Sequence, residues 1–149
     1  MIEKYCGGVV PAVAEDGDLA RALADGATKA DSAICALDFQ GGINAIMEFC
    51  KRVNGYVTEK EPWVLAKDES RKAELDAVLY NTAESLRALA VLLHPVMPAT
   101  CETLWQSLGA DSSLGDIAHQ TIGGVARWGQ LPPGSTVTKG AVLFPRLDS

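Results

Sequence analysis

The sequence predicts an all-α fold: a helical bundle followed by an irregular C-terminal extension packing back on it. Three observations predict this. Apolar residues recur at three- and four-residue steps from residue 17 to residue 108. Pro62, Pro95, Pro98 and Gly109 stand at the ends of those periodic stretches. The connections between stretches are brief, as packed helical neighbours require. With 149 residues the chain fits one domain with a sizeable core. We expect the bundle over residues 1–109 and the extension, part of the same domain, over 110–149.

Leu19, Leu23, Ala27, Ala30, Ile34 and Leu37 lie on one face of a helix over roughly residues 17–37. After Gly41-Gly42, the residues Ile43, Ile46, Met47, Cys50, Val53 and Val57 form a second stripe. Pro62 ends that helix or starts a short one, because its ring removes an N–H and crowds the preceding turn. A third, longer helix begins near Asp68 or Ser70, either of which caps it, and buries Leu75, Val78, Leu79, Leu86, Leu89, Ala90 and Leu93. A fourth runs from Val96 to Leu108, with Pro98 in its first turn and Gly109 as its stop.

Beyond Gly109 the periodicity disappears and glycine and proline become frequent. Trp128, Leu131, Val142, Leu143 and Phe144 are too apolar for a free tail and are expected to pack on the bundle or on another domain. The first eight residues read as the last two turns of a helix stopped at Gly7, ahead of a loop from Val9 to Gly17. Two turns alone are marginal in water. The expectation is a helix whose upstream part is missing, leaving part of the core uncovered.

Apolar residues make up 48% and charged residues 21%, which argues against disorder. No apolar run approaches the ~20 residues that span a bilayer, and no basic-then-apolar leader is visible. A cytoplasmic location without a membrane partner is the expectation. Cys6, Cys35, Cys50 and Cys101 form no C-x-x-C pair, and His94 and His119 lie near none of them, so zinc spacing is absent. Cys35, Cys50 and Cys101 read as small buried hydrophobes.

No nucleophile elbow, phosphate loop or H-E-x-x-H motif occurs. Gly134 to Gly140 has the wrong spacing for a phosphate loop and no helix after it. Glu15, Asp16 and Asp18 read as a solvated loop leading to a cap, and His94 as a helix-end residue near terminal carbonyls. The chain alone is not expected to be an enzyme, nor to hold a metal or cofactor.

Net charge is −6, which opposes phosphate contact. Its distribution is uneven: residues 51–72 hold six cations against four anions, the rest seven against fifteen. The one locally basic stretch contains Pro62-Trp63. A tryptophan at a helix junction packs into a core or offers its face to an unpaired base.

The run Asn54-x-Tyr56, then Pro62-Trp63-x-Leu65-Ala66-Lys67, resembles the anticodon-binding helical domain of methionyl-tRNA synthetases. Further segments resemble the actinobacterial type of that family: Asp76 through Leu89, Leu92-Leu93-His94-Pro95-x-x-Pro98, Leu131 to Gly134, and Leu143 to Arg146. The H-P-x-x-P element also suits the leucyl, isoleucyl and valyl relatives.

The resemblance implies binding of the CAU anticodon loop of methionine tRNAs, and no DNA partner. In it Trp63 stacks on an anticodon base, Pro62 shapes the pocket and Asn54 lies nearby. Arg52, Lys60 and Lys67 are candidates for phosphate or base-edge contacts. For Asn54 a bond to a neighbouring helix stays open, and Tyr56 reads as a packing residue with a bonded hydroxyl. The family's catalytic domain, which uses ATP, Mg2+ and in some members Zn2+, lies upstream and has no counterpart here. The same holds for its L-G-N-x-x-N-R-like segment, which helps to read the first anticodon base. A second expectation, of another class, is a helical protein-interaction module derived from that domain.

Overall fold

The computed structural model describes residues 1–13, 16–140 and 142–144. Glu15, Pro145 and Arg146, named above, lie outside the described residues. Eight α-helices are described: α1 (Ile2–Tyr5), α2 (Gly17–Cys35), α3 (Phe39–Lys60), α4 (Pro62–Leu65), α5 (Lys72–Leu93), α6 (Pro98–Ser107), α7 (Ala110–Leu114) and α8 (Ile122–Val125). Single 3-10 turns cover Glu69–Arg71 and Ile117–His119. The only β pairing among the described residues is an isolated bridge between Val9 and Thr136.

α2 starts where Asp16 accepts hydrogen bonds from the N–H groups of Asp18 and Leu19, as the acidic loop leading to a cap implied. It buries Leu19, Leu23, Ala27 and Ala30. The helix stops at Cys35, two residues before the expected end, because Leu37 turns into the left-handed region at φ 63°. Ile34 and Leu37 therefore do not join the buried face and are 40% and 76% exposed. Cys35 is exposed too, against expectation, and Cys50 is half-buried; Cys101 is buried.

α3 packs back along α2, with Gly42 under Ile34: a Cβ at Gly42 would lie 2.8 Å from Ile34 Cγ1. Its buried face is Gly42, Ile46, Phe49, Val53 and Tyr56. Ile43 and Met47, expected inside, are 38% and 42% exposed. The buried stripe lies about one position from the expected one, because Phe49 and Tyr56, the bulkier residues, take the core side.

α5 is the centre of the molecule, in contact with α2, α3, α4, α6 and α8. Asp68 caps the 3-10 turn that leads into it through the Ser70 N–H. Every residue expected in its stripe is buried or half-buried, but so are Asn81, Glu84, Ser85 and Arg87. Glu84 and Arg87 have fully buried side chains and pair at 2.8 Å. Glu84 also accepts the backbone N–H groups of Gly129, Gln130 and Leu131 at 2.8, 3.0 and 2.9 Å. Arg87 Nη2 donates to the carbonyls of Val125 and Arg127, each at 3.3 Å. One buried ion pair thus seats residues 125–131 on the central helix.

α6 begins at Pro98 and is followed by Gly109, at φ 66°, where an added Cβ would lie 2.4 Å from the Thr136 carbonyl oxygen. Past it the chain is not purely irregular, since α7, a 3-10 turn and α8 follow before the coil from Ala126. Leu131 is fully buried and Trp128 half-buried, whereas Val142 and Phe144 stay 77% and 68% exposed and do not pack on the bundle. The coil returns to the first residues: Val10 N–H donates to the Ser135 carbonyl at 2.9 Å and Val137 N–H to that of Gly8 at 2.7 Å. α1 is one turn instead of two, ended by positive φ at Gly7 and Gly8. His94 does not cap terminal carbonyls through its ring; Nε2 lies 3.5 Å from Glu102.

Candidate nucleic-acid interface

α3 hands over to α4 at one residue. Glu61 is left-handed (φ 44°, ψ 59°). Its N–H donates to the Val57 carbonyl at 3.1 Å and closes α3. Its own carbonyl accepts from Val64 and Leu65 N–H at 2.7 and 3.2 Å and opens α4. Pro62 takes the first helical position, where a missing N–H costs no helical bond.

The four residues of α4 divide between two sides. Pro62 and Leu65 point into the core, while Trp63 and Val64 are 45% and 41% exposed. Trp63 is therefore not a core tryptophan, unlike Trp105, which is 2% exposed and donates its indole N–H to the Gly115 carbonyl at 2.9 Å. A flat ring on a turn anchored from beneath can stack on an unpaired base. Behind it, Pro62 shares an apolar groove of about 380 Å³ with Met1, Ile2, Val57, Leu79 and Ala83.

The polar candidates divide into three situations. Lys67 is exposed, and the spiral of α4 continues to it through Ala66 N–H to Pro62 and Lys67 N–H to Val64. That places it one turn beyond Trp63. Lys60 sits over the Tyr56 ring, with Nζ 5.8 Å from the centroid. Arg52 is already paired with Glu59 at 3.6 Å, so it reaches RNA only by giving up that contact. Asn54 is exposed on the outer side of α3; its amide lies 3.9 Å from Cys50 Sγ on its own helix, and no bond to a neighbouring helix forms.

Tyr56 lies beneath this surface, 3% exposed and hydrogen-bonded to the Asn81 side chain. Burial pushes its phenol above the ordinary value of 10.0. Asn81 in turn accepts the Asp16 N–H at 3.0 Å and donates to the Ala77 carbonyl at 2.8 Å, so the starts of α2 and the end of α3 meet on α5. Nearby, the Cys6 thiol donates to Asp76 at 3.3 Å, and Lys72 pairs with the same carboxylate. Burial, then the Asp76 bond, pushes that thiol above its ordinary value.

Sequence reasoning missed Glu61 and Val64. Val64 carried a signal, an apolar residue beside the tryptophan on a helix of one turn. Glu61 carried none, since a glutamate gives no hint of positive φ. Among the described residues no group of three or more His, Cys, Asp or Glu is placed to hold a metal ion. No helix among them is long and apolar enough to cross a membrane.

The helical bundle thus presents an exposed tryptophan beside a buried proline, with lysines before and after them in sequence, a surface on which an unpaired base can stack. Residues 16–122 match the family model described as the anticodon-binding domain of tRNA ligase, and the chain belongs to that family. Within it, the resemblance is to the methionyl type. The chain is 57% identical to the methionine–tRNA ligase of Streptomyces coelicolor over 99% of its own length, and 40% identical to that of Halalkalibacterium halodurans over 99%. It spans only 29% and 22% of those two relatives. Among solved structures, the free-state methionyl-tRNA synthetase of Mycobacterium tuberculosis superposes with a TM-score of 0.82 at 28% identity, covering 100% of this chain and 30% of that one. The same synthetase bound by methionyl-adenylate gives 0.80 at 28% identity over 97% of this chain and 28% of that one.

Proposed function

We propose that this chain binds the CAU anticodon loop of methionine tRNA, in the cytoplasm, as the C-terminal part of a methionine–tRNA ligase. One anticodon base stacks on Trp63. Pro62, fixed in the core, holds the ring's backbone in place; Lys67 and Lys60 meet backbone phosphates, and Asn54 and Arg52 offer further polar contacts. The observation that carries the reading is the half-exposed Trp63 on a turn whose neighbours Pro62 and Leu65 are buried, in a chain of the anticodon-binding family. We propose too that residues 110–149 belong to the same domain as 1–109. The longer protein activates methionine with ATP and Mg2+, with Zn2+ in some members. No chemical step is assigned to this chain; it holds the loop and the remainder reacts.

The test is binding of a fluorescent anticodon stem-loop, CAU against a GAU variant, at low and moderate salt. Preference for CAU places discrimination on this surface. Equal affinity leaves Trp63 as a stacking platform and assigns discrimination to other parts of the ligase. Absence of binding with helicity intact overturns RNA binding by this chain and favours the protein-interaction module, for which the exposed Val142 and Phe144 are the contact candidates.

A further inference from the structure

We propose that Glu61 is the positioning residue of this surface, and that its left-handed backbone, not its carboxylate, sets the direction in which Trp63 faces. The inference rests on the reading of Trp63 as the stacking ring. Among the described residues only Leu37 and Glu61 combine a side chain with positive φ. A Cβ disfavours that region, and a following proline drives the preceding residue toward extended backbone. Glu61 meets both penalties at once and is held nonetheless.

What holds it is double duty. The N–H of Glu61 belongs to α3 and its carbonyl to α4, so the two torsions of this one residue set the angle between the helices. With Pro62 and Leu65 locked inside, that angle leaves Trp63 and Val64 facing outward. Moving Glu61 to extended backbone breaks the bonds to Val64 and Leu65 and either lifts Pro62 from its groove or turns the indole. The carboxylate is exposed and forms no ion pair or hydrogen bond among the described residues, whereas Glu59 pairs with Arg52. Nothing at this position requires the side chain. Strain of this kind concentrates where a fold presents a group to a partner.

The experiment uses the full chain labelled with 5-fluorotryptophan, which gives three fluorine resonances from Trp63, Trp105 and Trp128; Trp63→Phe assigns the first. Glu61→Val, β-branched and hostile to positive φ, shifts the Trp63 resonance alone. Glu61→Gly and Glu61→Asn, which accept that conformation, restore it, and Leu37→Val at the other left-handed position leaves it in place. In parallel, Glu61→Val lowers affinity for the CAU stem-loop by about 5- to 150-fold, the loss expected for one base–aromatic stack, and Glu61→Gly recovers it. A Trp63 resonance unmoved by Glu61→Val overturns the proposal, as does movement of all three resonances together. So does a Glu61→Gly variant that behaves like Glu61→Val. If the parent chain binds no stem-loop, the RNA reading falls, and the fluorine spectra still decide whether Glu61 orients Trp63.

Discussion

Trp63 and Tyr56 mark the two sides of one surface, and each predicts a different experiment. Trp63→Ala removes a ring that supports little of the core, so stability changes by no more than about 0.5 kcal/mol, while anticodon-loop binding weakens by about 1–3 kcal/mol. Thermal unfolding and stem-loop titration check the pair, and equal RNA affinity for mutant and parent removes the stacking role. Tyr56 is the opposite case. Burial raises its phenol above 10.0, so the folded chain favours the neutral form. Its contribution is complete below the unfolded value near 10 and is lost as pH rises through the folded one. Denaturant unfolding between about pH 8 and about pH 11 will show parent stability falling faster than that of Tyr56→Phe, which cannot ionise. At this scale the sequence revealed Pro62, Trp63 and the bonded hydroxyl of Tyr56, because bulky and φ-restricted residues have few places to go. It did not reveal Glu61, whose peculiarity lies in the backbone.

At the level of elements, periodicity located α2, α3, α5 and α6, since each must turn an apolar face inward. The errors came where two faces were nearly equal in hydrophobicity. On α3, Met47 and Ile43 lost the core side to Phe49 and Tyr56; at the α2–α3 turn, Leu37 had to leave the helix for the chain to reverse. The Glu84–Arg87 pair was invisible for another reason: charges three apart on a helix usually face water. Here they are enclosed, and Glu84 accepts three consecutive N–H groups from residues 129–131. Glu84→Ala strands those donors and leaves Arg87 charged and unpaired, at about 3–5 kcal/mol. Denaturant unfolding measures the loss. Hydrogen exchange will show the amides of Gly129, Gln130 and Leu131 opening first, and unchanged protection there would mean the extension is held by Leu131 burial instead.

Across the whole molecule, a net charge of −6 surrounds a segment with two excess cations, so long-range attraction to RNA is weak and local contacts decide. With Lys60 and Lys67 as the phosphate partners, log affinity falls with log salt at a slope near −1.4, about −0.7 for each phosphate neutralised on a single strand. A slope steeper than about −4 in a salt titration would mean that cations outside residues 51–72 take part. The bundle also distributes its tolerance of sequence change unevenly. α3 and α5 have 22 residues each, yet α5 buries fourteen and α3 only five. A random substitution therefore damages α5 far more often, since most of its positions already touch packed neighbours. α3 is free to vary on its outer side, where Asn54 and the approach to Trp63 lie. If the proposed surface binds RNA, recognition can drift on that helix while the central one stays as it is, and a saturation library of the two would register the difference directly.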